Sequence, residues 1–235
     1  MKLKLHHYLS TLCLNFLLIC PTFSARILSK SIDQNKTEMG CQTLQNVKQA
    51  QPIPQSTSQI IIVNSTKGFL ANITACQRSK DGWFPVFKHI PGVIGEKGIA
   101  AIGTKREGDR KTPAGFYPFG EAFGTQPLAL HMDYKYITNE DKFIDDMTSH
   151  YYNTWVNGPT DAKSYETMLI PPYKMGAVIN YNINPTIPGA GSAIFMHIWL
   201  APNKPTLGCV AMDEQSLSNL LHWLDKKQHP HIYIE

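Results

Sequence analysis

Only one stretch of this 235-residue chain carries the period of an α-helix. Leu217, Leu220, Leu221 and Leu224 fall at i, i+3, i+4 and i+7, which puts them on one helical face. Asp213 stands where an N-cap belongs, and Pro230 lies past the end. Elsewhere the apolar runs are short and broken by Gly and Pro, 16 of each. That punctuation argues against a helix bundle and for short strands joined by turns. Gln59 to Val63 is β-branched, Phe69 to Cys76 alternates apolar and polar, and Asp81-Gly82 turns the chain into Trp83 to Phe87 as a hairpin partner. Phe116 to Phe119, Ala177 to Tyr181, Ala193 to Leu200, Cys209 to Met212 and His231 to Ile234 read as further strands. Glu140 to His150 reads as a short helix or a loop. The expected fold is mostly β, with one packed helix in the C-terminal region.

The amino-terminal segment has a different character. Lys2 and Lys4 precede an apolar run, Leu12 to Cys20, broken only by Asn15, and small residues Ser24 and Ala25 follow. This is the layout of a secretory leader over residues 1–25, too short to span a bilayer comfortably. An acylated cysteine at Cys20 fits less well, because bulky Ile19 precedes it. Residues 26–58 are polar and Gln-rich, with Pro52 and Pro54 in an extended stretch, and read as a tail or linker before a domain over 59–235. The implied location is the periplasm or cell envelope, or outside the cell, without stable membrane insertion once the leader is cleaved. The formal charge of +4 falls to +2 without the two leader lysines. That is too weak for a nucleic-acid binder.

Export changes how the cysteines read. Cys13 and Cys20 leave with the leader; Cys41, Cys76 and Cys209 remain. An odd count in an oxidising compartment leaves one thiol over. Cys41 and Cys76 could pair, and Cys209 is then either buried and inert or reactive.

Two segments carry the chemistry. In Ser192-Ala193-Ile194-Phe195-Met196-His197-Ile198-Trp199, the two-residue period puts Ile194, Met196 and Ile198 on one face, with Ala193, Phe195, His197 and Trp199 on the other. In Thr206-Leu207-Gly208-Cys209-Val210, Gly208 lets the backbone approach closely beside the thiol. Eleven residues lie between His197 and Cys209, enough to leave one strand and begin its neighbour. On one face of adjacent strands the two side chains could meet. An imidazole beside a thiol can take its proton, the thiolate can attack an amide carbonyl, and the imidazolium can protonate the leaving amine. The backbone N–H groups of Gly208 and Cys209 could hold the oxyanion. Taken singly, each residue has a plainer reading: a core cysteine, a hydrogen-bonded structural histidine. No further ligands stand at metal spacing.

The order of motifs adds to this. Glu107-Gly108-Asp109-Arg110-Lys111-Thr112-Pro113-Ala114-Gly115 resembles a signature of the L,D-transpeptidase catalytic domain of the YkuD type. Gly189 to His197 resembles that family's strand leading to its histidine, and Thr206 to Val210 its nucleophile motif. Trp155 to Pro159 and Val178 to Asn182 resemble stand-alone members. The likeness runs from about Gln59 to the end. It implies a β-sandwich-like fold, Cys209 as nucleophile, His197 as base, and no metal or organic cofactor. The implied partner is a peptidoglycan tetrapeptide stem, opened through a thioester that an amine resolves. Hydrolysis of the same thioester, or a silent wall-binding domain, are the alternatives. Leu207 and Ala211 depart from residues common in the family. Thr206, Tyr181, Trp155 and Ser192 are candidates for lining the cleft, and Arg106, Arg110 and Lys111 for meeting carboxylates. Thr112-Pro113-Ala114-Gly115 reads as a shaping turn. His131, His150, His222 and His231 carry no motif and read as surface residues.

Overall fold

The computed structural model describes residues 40–45 and 52–235. The expected leader and most of the expected tail lie outside them. The described chain forms β1 (Gln59–Ser65), β2 (Leu70–Ser79), β3 (Gly82–Val93), β4 (Ile99–Ala100), β5 (Thr112–Pro113), β6 (Gly115–Gly124) and β7 (Tyr134–Tyr136). It continues with β8 (Asp141–Ile144), β9 (Trp155–Asn157), β10 (Tyr165–Thr167), β11 (Met175–Ile179), β12 (Phe195–Ile198), β13 (Val210–Met212), helix α1 (Glu214–Trp223) and β14 (His231–Ile234).

Nine strands form one sheet in the order β11-β12-β13-β3-β2-β1-β14-β6-β7, and β11 also pairs with β6, so the sheet closes on itself. Its centre is β1, whose Ile60, Ile61, Ile62 and Val63 are all fully buried. Ile61 and Val63 enter the main core; Ile60 and Ile62 face a second cluster with Cys41, Leu44, Cys76 and Trp83. A strand covered on both faces needs this continuous apolar run rather than alternation. β14 lies parallel to β1 and antiparallel to β6, which places residues 231–234 in the middle of the sheet.

Helix α1 forms where the leucine period indicates. The Asp213 carboxylate accepts from Ser216 N at 2.9 Å, satisfying one of the free amides of the first turn. Leu217, Leu220 and Leu221 are fully buried in the main core with Ala177, Met196 and Val210. Burying a leucine stabilises by about 2 kcal/mol, so one face of this short helix outweighs its modest propensity.

The stretch Glu140 to His150 is not helical. It contains β8, the middle strand of a small sheet ordered β10-β8-β9. Phe143 and Ile144 are buried there, and so is Asp141. Trp155 Nε1 and Asn157 Nδ2 donate to Asp141 Oδ1 (2.8 and 3.1 Å), and Thr138 N and Oγ1 donate to Oδ2 (2.7 and 2.8 Å). Burial alone would raise this carboxyl; those four bonds outweigh it and hold it below the usual range. His231 also differs from expectation. It is half-buried, stacked on Phe116 at 4.5 Å and bonded to Thr57.

A 3-10 turn, Cys41–Gln45, carries Cys41 to Cys76 on β2, and the two form a disulfide with Cα atoms 5.5 Å apart. Among the described residues no helix is long and apolar enough to cross a membrane.

Candidate active site

A cleft of about 550 Å³ opens beside β12 and β13, and both Cys209 and His197 line it. The two strands run parallel, with Met196 opposite Val210 and His197 opposite Ala211. The expected alternation along β12 holds. Ile194 and Met196 enter the main core, while Ala193 and Phe195 pack with Cys209 in a separate aromatic cluster.

In this register Cys209 lies beside Phe195, one pleat away from His197. Its sulfur accepts from Phe195 N and donates to Ala193 O, both at 3.3 Å. The two side chains therefore share a wall of the cleft but lie diagonally across it, and the thiol's bonds go to backbone rather than to the imidazole. On the far side of His197, Nδ1 donates to Ile198 O at 2.8 Å, which fixes the tautomer with Nε2 as acceptor. No group among the described residues bonds Nε2.

Burial keeps both groups neutral. His197 is pushed down to about 4, only partly offset by its bond to Ile198 O. Burial pushes the Cys209 thiol far up, and the Glu166 carboxylate adds to this; Phe195 N–H and Lys105 pull the other way. A charge-separated thiolate–imidazolium pair is thus disfavoured in the closed cleft.

The loops hold this wall by specific contacts. Asn153 Oδ1 accepts from Ala193 N at 3.1 Å, and its amide donates to Tyr181 O and Asn182 O. Ala193, at φ 53°, is thereby held in a left-handed conformation that costs an alanine about 1–2 kcal/mol. Its carbonyl is the one that accepts the hydrogen bond from the thiol. Fully buried Thr112 accepts from Gly95 N at 2.9 Å and donates to Cys209 O. The expected shaping turn thus reaches the cysteine directly. Gly95 is required at that crossing, since a Cβ there would sit 2.5 Å from Arg110 O.

Thr206 and Ser192 line the cleft, as expected. Thr206 Oγ1 donates to Cys209 O at 2.7 Å and accepts from Gly208 N at 3.2 Å. Of the two N–H groups expected to hold an oxyanion, Gly208's is therefore engaged within its own turn; Cys209's has no partner among the described residues. Ser192 Oγ donates to Glu107. Trp155 and Tyr181 do not line the cleft. Trp155 packs between Phe123, Phe143 and the Lys135 ammonium. Tyr181 stacks edge-on to Tyr117 and borders a separate groove with Arg106 and Ile187. Arg106 bonds Gly103 O and Lys105 O, and Arg110 pairs with Glu96, so that loop satisfies its own charges.

Three further cleft residues, Lys105, Glu166 and Tyr173, lie outside the motifs, and a fourth, Glu107, opens the Glu107–Gly115 signature without a role read for it in the sequence. Lys105, almost fully buried, pairs with Asp109 at 2.6 Å; the i,i+4 spacing of opposite charges is the only signal of it. Glu107 accepts from Tyr152 and Ser192 hydroxyls at 2.5 and 2.7 Å. No group of three or more His, Cys, Asp or Glu among the described residues is arranged to hold a metal ion.

The chain belongs to the family of the L,D-transpeptidase catalytic domain (YkuD), whose family model matches residues 58–232. Among solved structures, the helical cell shape determining protein Pgp2 from Campylobacter jejuni is similar, at 16% identity and a TM-score of 0.40. The similarity covers 76% of this chain and 47% of that one, so the chain spans about half the length of that protein. No curated protein matches the chain.

Proposed function

We propose that this protein is a cysteine L,D-transpeptidase, with Cys209 as nucleophile and His197 as general base. The observation that supports the reading most is that the free thiol and an unpartnered imidazole Nε2 line one cleft from adjacent parallel strands. The donor is a tetrapeptide stem. Rotation about the Cα–Cβ bond of Cys209 releases the thiol from Ala193 O and turns it toward Nε2. The proton passes to the imidazole as sulfur attacks the carbonyl of the third stem residue. Neutral resting groups make this transfer concerted with attack, because neither ion is stable alone in the closed cleft. The Cys209 N–H receives the developing oxyanion. The imidazolium then protonates the departing D-alanine amine and leaves a thioester. An acceptor amine, deprotonated by the same imidazole, attacks the thioester and restores the thiol.

The reading places residues 1–25 as an export leader and 26–58 as a tail, with the enzyme at the cell envelope. Intact-mass analysis after incubation with a carbapenem or a tetrapeptide stem tests it. The expected result is one adduct on the wild type and none on Cys209→Ala. The absence of any wild-type adduct sinks the reading. Adding an amine acceptor and following crosslinked against hydrolysed product separates transfer from hydrolysis.

A further inference from the structure

The imidazole of His197 is anchored through hydrogen bonding on one edge only, at Nδ1. What fixes the plane of the ring is a neighbour. Tyr173 meets it edge to face, with centroids 5.1 Å apart and planes at 78°. Tyr173 is itself held three ways. It closes the 3-10 turn Pro171–Tyr173, with its N–H on Ile170 O. Its ring packs edge-on against Phe123 and Phe195, at 5.9 and 5.4 Å. Its hydroxyl donates to Glu166 Oε2 at 2.6 Å.

Glu166 lies on β10, opposite Phe143 of β8, so the small sheet reaches the imidazole through this pair. The carboxyl does not bond His197, whose Nδ1 is already taken by Ile198 O. It acts one residue removed. A buried tyrosine hydroxyl without an acceptor costs about 1–3 kcal/mol, which would favour any rotation that brought it to water. With Glu166 as acceptor, the rotation loses its gain and the ring stays against the imidazole.

We propose that Tyr173, anchored by Glu166, is a positioning residue that holds the His197 imidazole in the plane from which Nε2 faces the thiol. This rests on the reading of His197 as the base of Cys209. A misplacement of about 1 Å in a reacting pair can cost about 100-fold in rate. The charged groups around the cleft are Lys105, Glu107, Arg110, Asp145, Glu166 and Lys204, and of these only Glu166 bonds the Tyr173 hydroxyl.

The test is the rate of Cys209 alkylation by iodoacetamide in the full chain, followed by intact mass from pH 5 to pH 9, with melting temperature alongside. His197→Ala supplies the profile of a thiol without its base. Tyr173→Leu is expected to lower the rate about 100-fold and to move the pH profile onto that of His197→Ala. Tyr173→Phe keeps the ring but frees it from the anchor, and is expected to fall in between. Glu166→Gln, whose amide oxygen still accepts from the hydroxyl but no longer opposes the thiolate, should alkylate no more slowly than wild type, whereas Glu166→Leu, equally uncharged but without the anchor, should fall below Glu166→Gln as Tyr173→Phe falls below wild type. A folded Tyr173→Leu with the wild-type rate and profile overturns the inference while leaving the base intact. A wild-type profile in His197→Ala overturns the base and this inference together. If Tyr173→Leu does not fold, an unchanged profile in Tyr173→Phe overturns it.

Discussion

Among the described residues two regions bury cysteine sulfur, and the surroundings differ more than the burial does. Cys41 and Cys76 are 1% and 0% exposed, and Cys209 is 7%. At the first site the sulfur valences are satisfied by each other, and the neighbours are Leu44, Ile60, Ile62 and Trp83, none of which could take a proton. At the second, a lone thiol sits among Phe195 N–H, Ala193 O, Lys105, Glu166 and His197. Burial is thus no guide to role. A sulfur packed by hydrocarbon and bonded to its twin has only a structural part to play, while on the proposed reading a sulfur among donors, acceptors and an unengaged base gives up its proton when substrate is attacked.

That contrast can be broken in order of expected effect. Cys209→Ser should reduce acylation by at least about 10³-fold, as loss of an activated nucleophile does, while the melting temperature stays within a few degrees. A large fall in melting temperature with activity retained would reverse the two regions' roles. The paired substitution Cys41→Ser with Cys76→Ser should lower unfolding free energy by about 3–4 kcal/mol, from a loop with a sequence separation of 35. Acylation per folded molecule should remain unchanged, as checked by denaturant titration and intact mass on one sample.

Acid should weaken the second region through His197. Its folded pKa of about 4 lies below the unfolded value of 6.5, so the unfolded chain binds more protons between the two. The contribution is complete above pH 6.5 and is lost as pH falls toward 4. It amounts to about 3 kcal/mol, and His231, also depressed by burial, acts in the same direction. Urea midpoints measured from pH 7 to pH 4 should fall less steeply in His197→Gln than in wild type; parallel slopes would show that the imidazole is not held neutral. The smallest effect is expected from Thr112→Val, which leaves Gly95 N without its acceptor and loosens Cys209 O, at about 1–2 kcal/mol.

What could be read from the chain alone follows the range of the interaction. Helix α1 was legible because its leucine period and Asp213 cap are local. β1, β11, β12 and β14 were legible because their apolar runs are long enough to betray burial. β8 was not, because its first residue is a buried carboxylate whose four bonds come from Thr138, Trp155 and Asn157, and a carboxylate in isolation reads as surface. In the site, Cys209 and His197 sit in recognisable local motifs. Their supports do not: Tyr173 and Glu166 are seven residues apart, on a 3-10 turn and a strand, and only the hydrogen bond between them shows their relation. The sequence reading has thiol and imidazole meeting across neighbouring strands; the structure lines one cleft with both but bonds the thiol to backbone. That reading misses the one-pleat offset, because parallel register is set by the whole sheet and not by the eleven intervening residues.

The place of β14 has a consequence for how the molecule is made. Residues 231–234 sit between β1, at the beginning of the domain, and β6, at its middle. A polypeptide made amino end first can build the β1–β2–β3 meander early and reach β6 through β13, β12 and β11, but the gap between β1 and β6 stays unfilled until these four residues emerge. Pairing β1 with β14 brings together the first and last strands of the domain, the largest loop it has to close. Until then β1 and β6 face an open seam that only residues 231–234 fill.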